Sequence, residues 1–514
     1  MNAVEHLLGA AALERHGTRV ALMCRGESLT YRDLAARVAR SANALRSLGA
    51  QPGERVLVLM RDSLEFASMW LGVLHAGAVA VALNTRLSEA EYAHIRADSG
   101  ARLALVEDLF CDNNPQHALR YAREGGLVVT GDAARRYPGA LSWREACERA
   151  EPQATPVAVR AEDPAFWLYS SGTTGRPKGI MHAHRAVLSA GQAQREVVGL
   201  APGERTLTTS KLFFAYALEH SLLGPLATGA TALLDPEWPD AESVLARVAA
   251  DQPAAFFSVP TFYRRLLALG AARLAPFRRV RRFIAAGERL PAPVLKAWQA
   301  ATGGEILSLY GMSETFCACF VTPPGTSDGS RTGKPLGGVD TRLATAEGRD
   351  AEAGEPGILW IRHPALALGY ANLPERTAAQ FREGWFCSQD FFVRDREGFF
   401  SHQGRSDELV KIAGQWVQPA ELEEAIAADP LVAESACVAV PDSDRFERLA
   451  LFITPRGDPA AAVASVTRAC EQKLPPHKRP KWVVPVAELP RTPTGKVQRF
   501  KLREQLEEQI TKKR

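Results

Sequence analysis

Tyr169-Ser-Ser-Gly-Thr-Thr-Gly-Arg-Pro-Lys-Gly179 is the stretch on which the reading of this chain turns. Small hydroxyl residues (Ser170, Ser171, Thr173, Thr174) are interleaved with Gly172 and Gly175, and Arg176, Pro177 and Lys178 follow at once. Before it, Ala165-Phe-Trp-Leu-Tyr169 has the apolar, aromatic character of a short buried strand. After it, a helical pattern begins at His184. A hydroxyl-rich loop between strand and helix can aim backbone N–H groups at phosphate oxygens, with a lysine or arginine to neutralise them. No G-x-x-x-x-G-K-[ST] runs through it, so it is not a Walker loop. A solvated surface turn would explain glycines and polar residues, but not so dense a run behind a core-like strand.

Outward from the loop, helical and strand patterns alternate. A helix is expected from the Leu29–Leu34 region to Leu48, and strands at Arg55–Met60, Leu103–Val106 and Leu127–Thr130. The run from Phe66 to Leu83, apolar apart from Ser68 and His75, is about as long as a minimal membrane span. Gly77 divides it, and it reads instead as a buried helix over 63–76 and a short strand Ala78–Leu83. Alternation of this kind predicts an α/β fold with largely parallel sheets. Residues 151–164 form a linker-like approach to the central loop. Beyond it, Glu305–Tyr310 is a strand that places Tyr310 and Glu314 where parallel sheets present ligands, at the carboxyl end. Asp395–Gly398 supplies a hairpin turn, and a helix starts at Pro419. The last hundred or so residues read as strand, strand, helix, a basic run Lys473–Lys481, a strand at Trp482 and a charged helix.

With 514 residues the chain is too long for one core, and a large domain plus a small one is expected. A domain boundary is read within Gly404–Asp407, giving domains 1–404 and 405–514. The content of 46% hydrophobic and 23% charged residues is that of an ordinary globular protein, and a net charge of +4 argues against bulk nucleic-acid binding. Eight cysteines without C-x-x-C pairing suit free thiols in a reducing cytoplasm. Met1-Asn-Ala-Val-Glu-His shows no basic region followed by an apolar core, so no secretory signal is expected. Neither nucleic acid nor membrane is an expected partner. A homodimer is left open.

The loop resembles the phosphate-binding signature of the adenylate-forming enzymes: acyl- and aryl-CoA synthetases, peptide-synthetase adenylation domains and luciferases. The resemblance extends over nearly the whole chain in the family's order. Tyr310-Gly-Met-Ser-Glu314 looks like the adenine-and-magnesium motif. Asp390 stands where the family has a ribose-binding aspartate, although the usual T-G-D is here Ser388-Gln-Asp390. Gly404-Arg-Ser-Asp407 matches the hinge motif, and Pro493-Thr-Gly-Lys496 the loop with the catalytic lysine.

The resemblance implies a large N-terminal domain of mostly parallel sheets flanked by helices and a small mobile C-terminal α+β domain. It implies catalytic roles for Lys496, Glu314, Thr174 and Lys178, with Glu314 as the Mg²⁺ ligand. Ser170, Ser171, Gly172, Thr173, Gly175, Gly287, Glu288, Tyr310, Gly311, Ser313, Asp390 and Arg405 would bind ATP. Asp407 would be the hinge. Lys411 and Gly414, in Lys411-Ile-Ala-Gly-Gln-Trp-Val-Gln, resemble the version in CoA ligases, where the glycine lets the pantetheine pass. ATP, Mg²⁺ and CoA are thus the implied cofactors. The chemistry suits those residue types: joining a carboxylate to the α-phosphate gathers negative charge that cations must neutralise.

Lys211-Leu-Phe-Phe-Ala-Tyr-Ala-Leu resembles the benzoate–CoA ligase branch, in which an Ala-Tyr pair lines a small aromatic pocket. Phe214, Ala215, Tyr216, Glu219, His220 and Cys317 are the expected acid-binding residues. The chain departs from benzoate enzymes at Ala217-Leu-Glu-His220, where Gly-Leu-Gly-Asn is expected, and at Cys317, where a histidine is common. The expected function is an aryl-carboxylate–CoA ligase for benzoate or a substituted benzoate. The alternatives are loading of an aryl acid onto a carrier protein, ligation of an alicyclic acid, and nucleotide binding without catalysis.

Overall fold

The computed structural model describes residues 2–171, 176–345, 347–405, 410–412, 415–427, 429–442, 444, 446–491 and 497–512. Two compact units divide the chain: Met1–Arg342 with Trp360–Cys387 and Arg394–Ser401, and Leu343–Leu359 with Ser388–Val393 and His402–Arg514.

The first unit holds two large sheets. One has eight strands, ordered Gly369–Tyr370, Pro177–Ala183, Pro164–Ser171, Val79–Ala82, Arg55–Leu59, Leu103–Val106, Leu127–Val129, Leu141–Ser142. The other has nine, ordered Lys334–Pro335, Phe320–Val321, Ile306–Tyr310, Arg282–Ala285, Ala255–Ser258, Arg205–Thr208, Thr231–Leu234, Val20–Cys24, Glu27–Thr30. The central pairings are parallel in both, and the antiparallel strands lie towards the edges. Central strands such as Leu103–Val106 and Ala255–Ser258 are buried along their whole length, as a parallel sheet covered on both faces requires. The α/β class expected from the alternation is the one observed.

Local sequence accounts for the helices. Thr30 caps the helix Tyr31–Ser47 with a reciprocal box: its Oγ1 accepts from Asp33 N, and Asp33 Oδ2 accepts from Thr30 N, both at 3.1 Å. Ser63 caps Leu64–His75, a helix buried on nearly every side. These two helices meet at Gly72, where a Cβ would stand 2.5 Å from Ser41 Cβ. Gly77 ends the second helix at a φ of 76°, turning the chain into the strand Val79–Ala82. Among the described residues no helix is long and apolar enough to cross a membrane.

One expectation is corrected. The central loop does not run from strand to helix. Pro177–Ala183 is a strand, paired antiparallel with Pro164–Ser171 in the register Tyr169↔Gly179 and Ser170↔Lys178. The helix begins at His184, as the sequence pattern predicts, but a strand rather than a loop leads into it. Pairing on both sides, to Pro164–Ser171 and to Gly369–Tyr370, holds the segment extended.

In the second unit, the hairpin Val432–Pro441 and Glu447–Pro455 is joined by Trp482–Pro485, parallel to its second strand. Side chains alternate between two cores. Cys437, Leu449, Leu451 and Ile453 face Leu422, Ile426 and Val466, while Ala436, Val438, Ala450 and Phe452 face Leu502 and Leu506. This period-two pattern, flanked by helices Pro419–Ile426, Pro459–Lys473 and Arg499–Lys512, makes a small α+β unit. The basic run is paired with acids: Lys481 Nζ lies 2.9 Å from Asp442 Oδ2, and Lys478 pairs with Glu421.

Candidate active site

Four parallel neighbours of the nine-stranded sheet end side by side at Thr208, Ser258, Ala285 and Tyr310. The segments that leave these carboxyl ends contain Lys211–His220, Gly287–Glu288 and Tyr310–Glu314, so topology alone gathers three of the sequence motifs at one edge. Tyr216 is anchored across that edge, its hydroxyl 3.2 Å from Ser258 O and 3.4 Å from Ile284 O. Glu288 is exposed and accepts from Thr261 Oγ1 at 2.6 Å. Gly287 has a φ of 83° and turns the chain there.

Glu314 sits in the turn beyond the strand Ile306–Tyr310, with Lys178 from the eight-stranded sheet beside it. Lys178 Nζ donates to Glu314 Oε1 at 2.8 Å, and each side chain is only 12% exposed. The Tyr370 hydroxyl lies 2.9 Å from the same Oε1 and 2.5 Å from Gln380 Oε1. The Lys178 ammonium also stands over the Tyr370 ring, 4.2 Å from its centre. Burial pushes the Glu314 carboxyl up, but the Lys178 charge and the hydrogen bonds from Lys178 and Tyr370 outweigh it. The net effect is a carboxylate held below its usual range, ionised inside the protein. His182 fixes the neighbouring backbone, its Nε2 2.8 Å from Ser313 O. Burial lowers His182 to about 4, so the ring is neutral and Nε2–H donates.

Around Tyr216 the expected acid-binding residues converge only in part. Phe214 and Ala215 are half-buried against the apolar core of the first unit that contains Leu212, Leu218 and Leu222, and Phe213 meets Phe214 edge to face with ring centres 4.4 Å apart. Glu219 and His220 lie on a π-helical turn, Glu219–Leu223, that continues Ala215–Leu218. His220 stacks on Phe257 at 4.5 Å and meets Tyr216 edge-on at 5.0 Å. Cys317 is buried, its Sγ 3.8 Å from Ala186 O, and burial drives its thiol well above the ordinary range. Gly311 packs on the same backbone: a Cβ there would be 3.2 Å from Cys317 O and 3.4 Å from Ala318 Cα. Tyr310 packs on Phe320, ring centres 5.6 Å apart. Ser170 pairs with Lys178 across the hairpin.

In the second unit, Asp390 is in the strand Trp385–Arg394, with Arg405 NH1 at 3.6 Å and His402 Nε2 at 3.8 Å. Asp390 N donates to Ser388 Oγ at 3.0 Å, and Ser388 Oγ donates to Leu359 O at 2.8 Å. Gln389, where the family motif has glycine, takes a φ of 62°, in the left-handed region that favours glycine. The departure from T-G-D therefore places a residue with a Cβ in the left-handed region, which carries some strain.

Gly172, Thr173, Thr174, Gly175, Asp407, Gly414 and Lys496 lie outside the described residues, as do the side chains of Ser171 and Lys411. Sequence reasoning missed Tyr370, Gln380 and His182, which hold the Glu314 region, and Gln194, whose Nε2 lies 2.6 Å from His220 Nδ1. It also missed Asp62, whose Oδ1 accepts from Leu212 N at 3.0 Å and which burial raises to about 6. None carries a local signal, because each reaches its partner across ten or more residues. Among the described residues no cluster of three or more His, Cys, Asp or Glu side chains is arranged to hold a metal.

Comparison with known proteins adds a separate line of observation. The family model for "AMP-binding enzyme" matches residues 10–371, and that for "AMP-binding enzyme C-terminal domain" matches residues 421–496. A 3-hydroxybenzoate–CoA/4-hydroxybenzoate–CoA ligase of Thauera aromatica is 40% identical over 512 residues, covering 99% of this chain and 98% of its own. A 3-hydroxybenzoate–CoA ligase of Aromatoleum sp. (strain CIB) is 40% identical over 511 residues, covering 98% and 97%. Among solved structures, the anthranilate CoA ligase AuaEII in complex with anthranoyl-AMP superposes with a TM-score of 0.90 at 33% identity, covering 99% and 98%.

Proposed function

The chain belongs to the AMP-binding enzyme family, and from that premise we propose that it is an ATP-dependent aryl-carboxylate–CoA ligase acting on benzoate or a substituted benzoate. The observation that carries this reading is end-to-end likeness to ligases whose names specify benzoates with hydroxyl substituents. Tyr216 is anchored at the sheet edge from which the Gly311 segment also leaves, and this supports an aromatic acid, since a flat ring buries its faces well between an aromatic side chain and a glycine.

Two steps make up the reaction. A carboxylate oxygen of the acid attacks the α-phosphorus of ATP, giving acyl-adenylate and pyrophosphate. The CoA thiol, losing its proton, then attacks the acyl carbonyl and AMP leaves. Glu314 fits the role of Mg²⁺ ligand: it is a hard oxygen donor kept ionised inside the protein. A single carboxylate is enough for an ion that takes its remaining ligands from phosphates and water. Mg²⁺, when bound, neutralises phosphate charge. Lys178 holds the Glu314 carboxylate in place and adds a positive charge next to it, and Tyr370 and His182 fix the surrounding geometry. Thr173 and Thr174 would hold phosphate oxygens. Lys496 would bridge the carboxylate and α-phosphate in the first step. Asp390 and Arg405 would hold the ribose.

The test is a panel of benzoates and alicyclic acids, measured for pyrophosphate release and for thioester formation with free CoA. Acid-dependent release followed by acyl-CoA is the expected result. Thioester formed only on a carrier-protein arm, or release only with alicyclic acids, would overturn the reading.

A further inference from the structure

Three polar atoms in one buried patch have no hydrogen-bond partner among the described residues: Glu219 Oε1, His220 Nε2 and Gln194 Oε1. Their side chains are essentially shielded from water, with Glu219 2% and His220 0% exposed. Buried groups of this kind are rarely left unpaired in folded proteins, because desolvating them is costly. The patch is otherwise well built. Glu219 Oε2 accepts from Ala318 N at 3.1 Å, the Cys317 thiol also hydrogen-bonds the Glu219 carboxyl, and Gln194 Nε2 meets His220 Nδ1 at 2.6 Å. His220 Nε2 stands 3.4 Å from Glu219 Oε2, too far for a good hydrogen bond.

Its position is what gives the patch meaning. The Ala318 N–H that holds Glu219 belongs to the Cys317–Ala318 peptide on which Gly311 packs. His220 meets the Tyr216 ring edge-on. The Glu219 carboxyl therefore borders the same two features that would sandwich an aromatic acid. Resting on the aryl-acid reading above, we propose that Glu219 is the residue that selects acids carrying a hydrogen-bonding O–H or N–H ring substituent, which supplies the partner its Oε1 lacks. His220 and Gln194 position the carboxyl, and an unsubstituted ring leaves the patch unsatisfied.

The protonation states suit this role. Burial pushes Glu219 up to about 8 and holds His220 down to about 3, so both are neutral near pH 7. A protonated carboxyl can both donate to and accept from a hydroxyl. It also avoids placing a charge against an apolar ring.

The experiment measures kcat/KM by acid-dependent pyrophosphate release for benzoate and for each mono-hydroxy- and mono-aminobenzoate, in the wild-type protein, Glu219→Gln and Glu219→Ala. In the wild type, at least one substituted acid should exceed benzoate by on the order of 10². Glu219→Ala should cut that ratio at least about tenfold, and Glu219→Gln by less, because an amide keeps part of the hydrogen bonding. Equal losses for all acids would make Glu219 a core residue and overturn the proposal. If the variants fail to fold, the wild-type ratio decides: benzoate turned over as well as every substituted acid overturns it too. Adenylate formation without acyl-CoA would instead sink the CoA-ligase reading while leaving this ratio to be read.

Discussion

Lys178 and Glu314 stand 136 residues apart in sequence, yet Nζ and Oε1 are 2.8 Å apart in a buried setting. One comes from an antiparallel hairpin of the eight-stranded sheet, the other from the turn after a strand of the nine-stranded sheet. The pair thus ties the two sheets of the first unit together and keeps the Glu314 carboxylate ionised inside the protein. Tyr370 adds a third group to the same oxygen, which limits how far the carboxylate can turn.

Glu314→Gln should lower acid-dependent pyrophosphate release by on the order of 10²–10³, as expected when one charge that stabilises a transition state is lost. Stability should drop too, since removing one partner of a buried pair typically costs about 3–5 kcal/mol. Raising the Mg²⁺ concentration should restore part of the rate. A variant with wild-type rate and unchanged Mg²⁺ dependence would exclude Glu314 from the metal role.

Stability should depend on pH through Glu219 in a predictable direction. Its carboxyl titrates near 4.5 when unfolded and about 8 when folded, so the folded state binds more protons between those values. Folding stability therefore falls as pH rises through that window, by at most about 1.4 kcal/mol per unit. His220 acts in the opposite sense only between about 3 and 6.5. From pH 6.5 to 8 the Glu219 effect stands alone within the pair. Thermal unfolding of Glu219→Gln should show a flatter pH profile than wild type across that range, and parallel profiles would refute the assignment.

Ala215→Leu should raise KM for benzoates at least about tenfold while leaving KM for ATP near its original value. Ala215 is half-buried against the apolar core of the first unit, next to Phe214 in the chain, and a larger side chain overpacks that wall. Steady-state kinetics with each substrate varied in turn will decide. A matched rise for ATP would point to a general disturbance of the unit.

Lys496→Ala should abolish adenylate formation and spare thioester formation from pre-made acyl-adenylate. The motivation is the match of Pro493-Thr-Gly-Lys496 to the family's catalytic-lysine loop. Single-turnover assays of the two half-reactions separate the outcomes. Equal loss in both would make the lysine structural.

Gln389→Gly should stay within about 1 kcal/mol of wild-type stability, because relief of the left-handed backbone offsets the greater freedom of the unfolded chain. Gln389→Val should be less stable by about 1–2 kcal/mol, since a β-branched residue tolerates that φ poorly. Denaturant titration of both variants gives the answer, and equal stability of Val and Gly would mean that φ is not maintained in solution.

Much of this protein follows from short stretches of its sequence. The Thr30–Asp33 box starts one helix, Gly77 ends another, and period-two alternation in Val432–Pro455 places side chains in two cores. The stretches Tyr169–Gly179, Tyr310–Glu314 and Ser388–Asp390 stand out in the sequence because each is contiguous, and it is the resemblance to adenylate-forming enzymes that implies phosphate, cation and ribose roles for them. Tertiary structure decided the rest. Pro177–Ala183 is extended because strands on both sides pair with it, one of them almost two hundred residues away, which no local pattern encodes. Tyr370 reaches Glu314, and Gln194 reaches His220, only because strand order and helix packing bring distant segments together. Local periodicity records which face of an element is buried. Which groups meet across that buried face is set by the order of the sheets, and the chemistry of the site depends on those meetings.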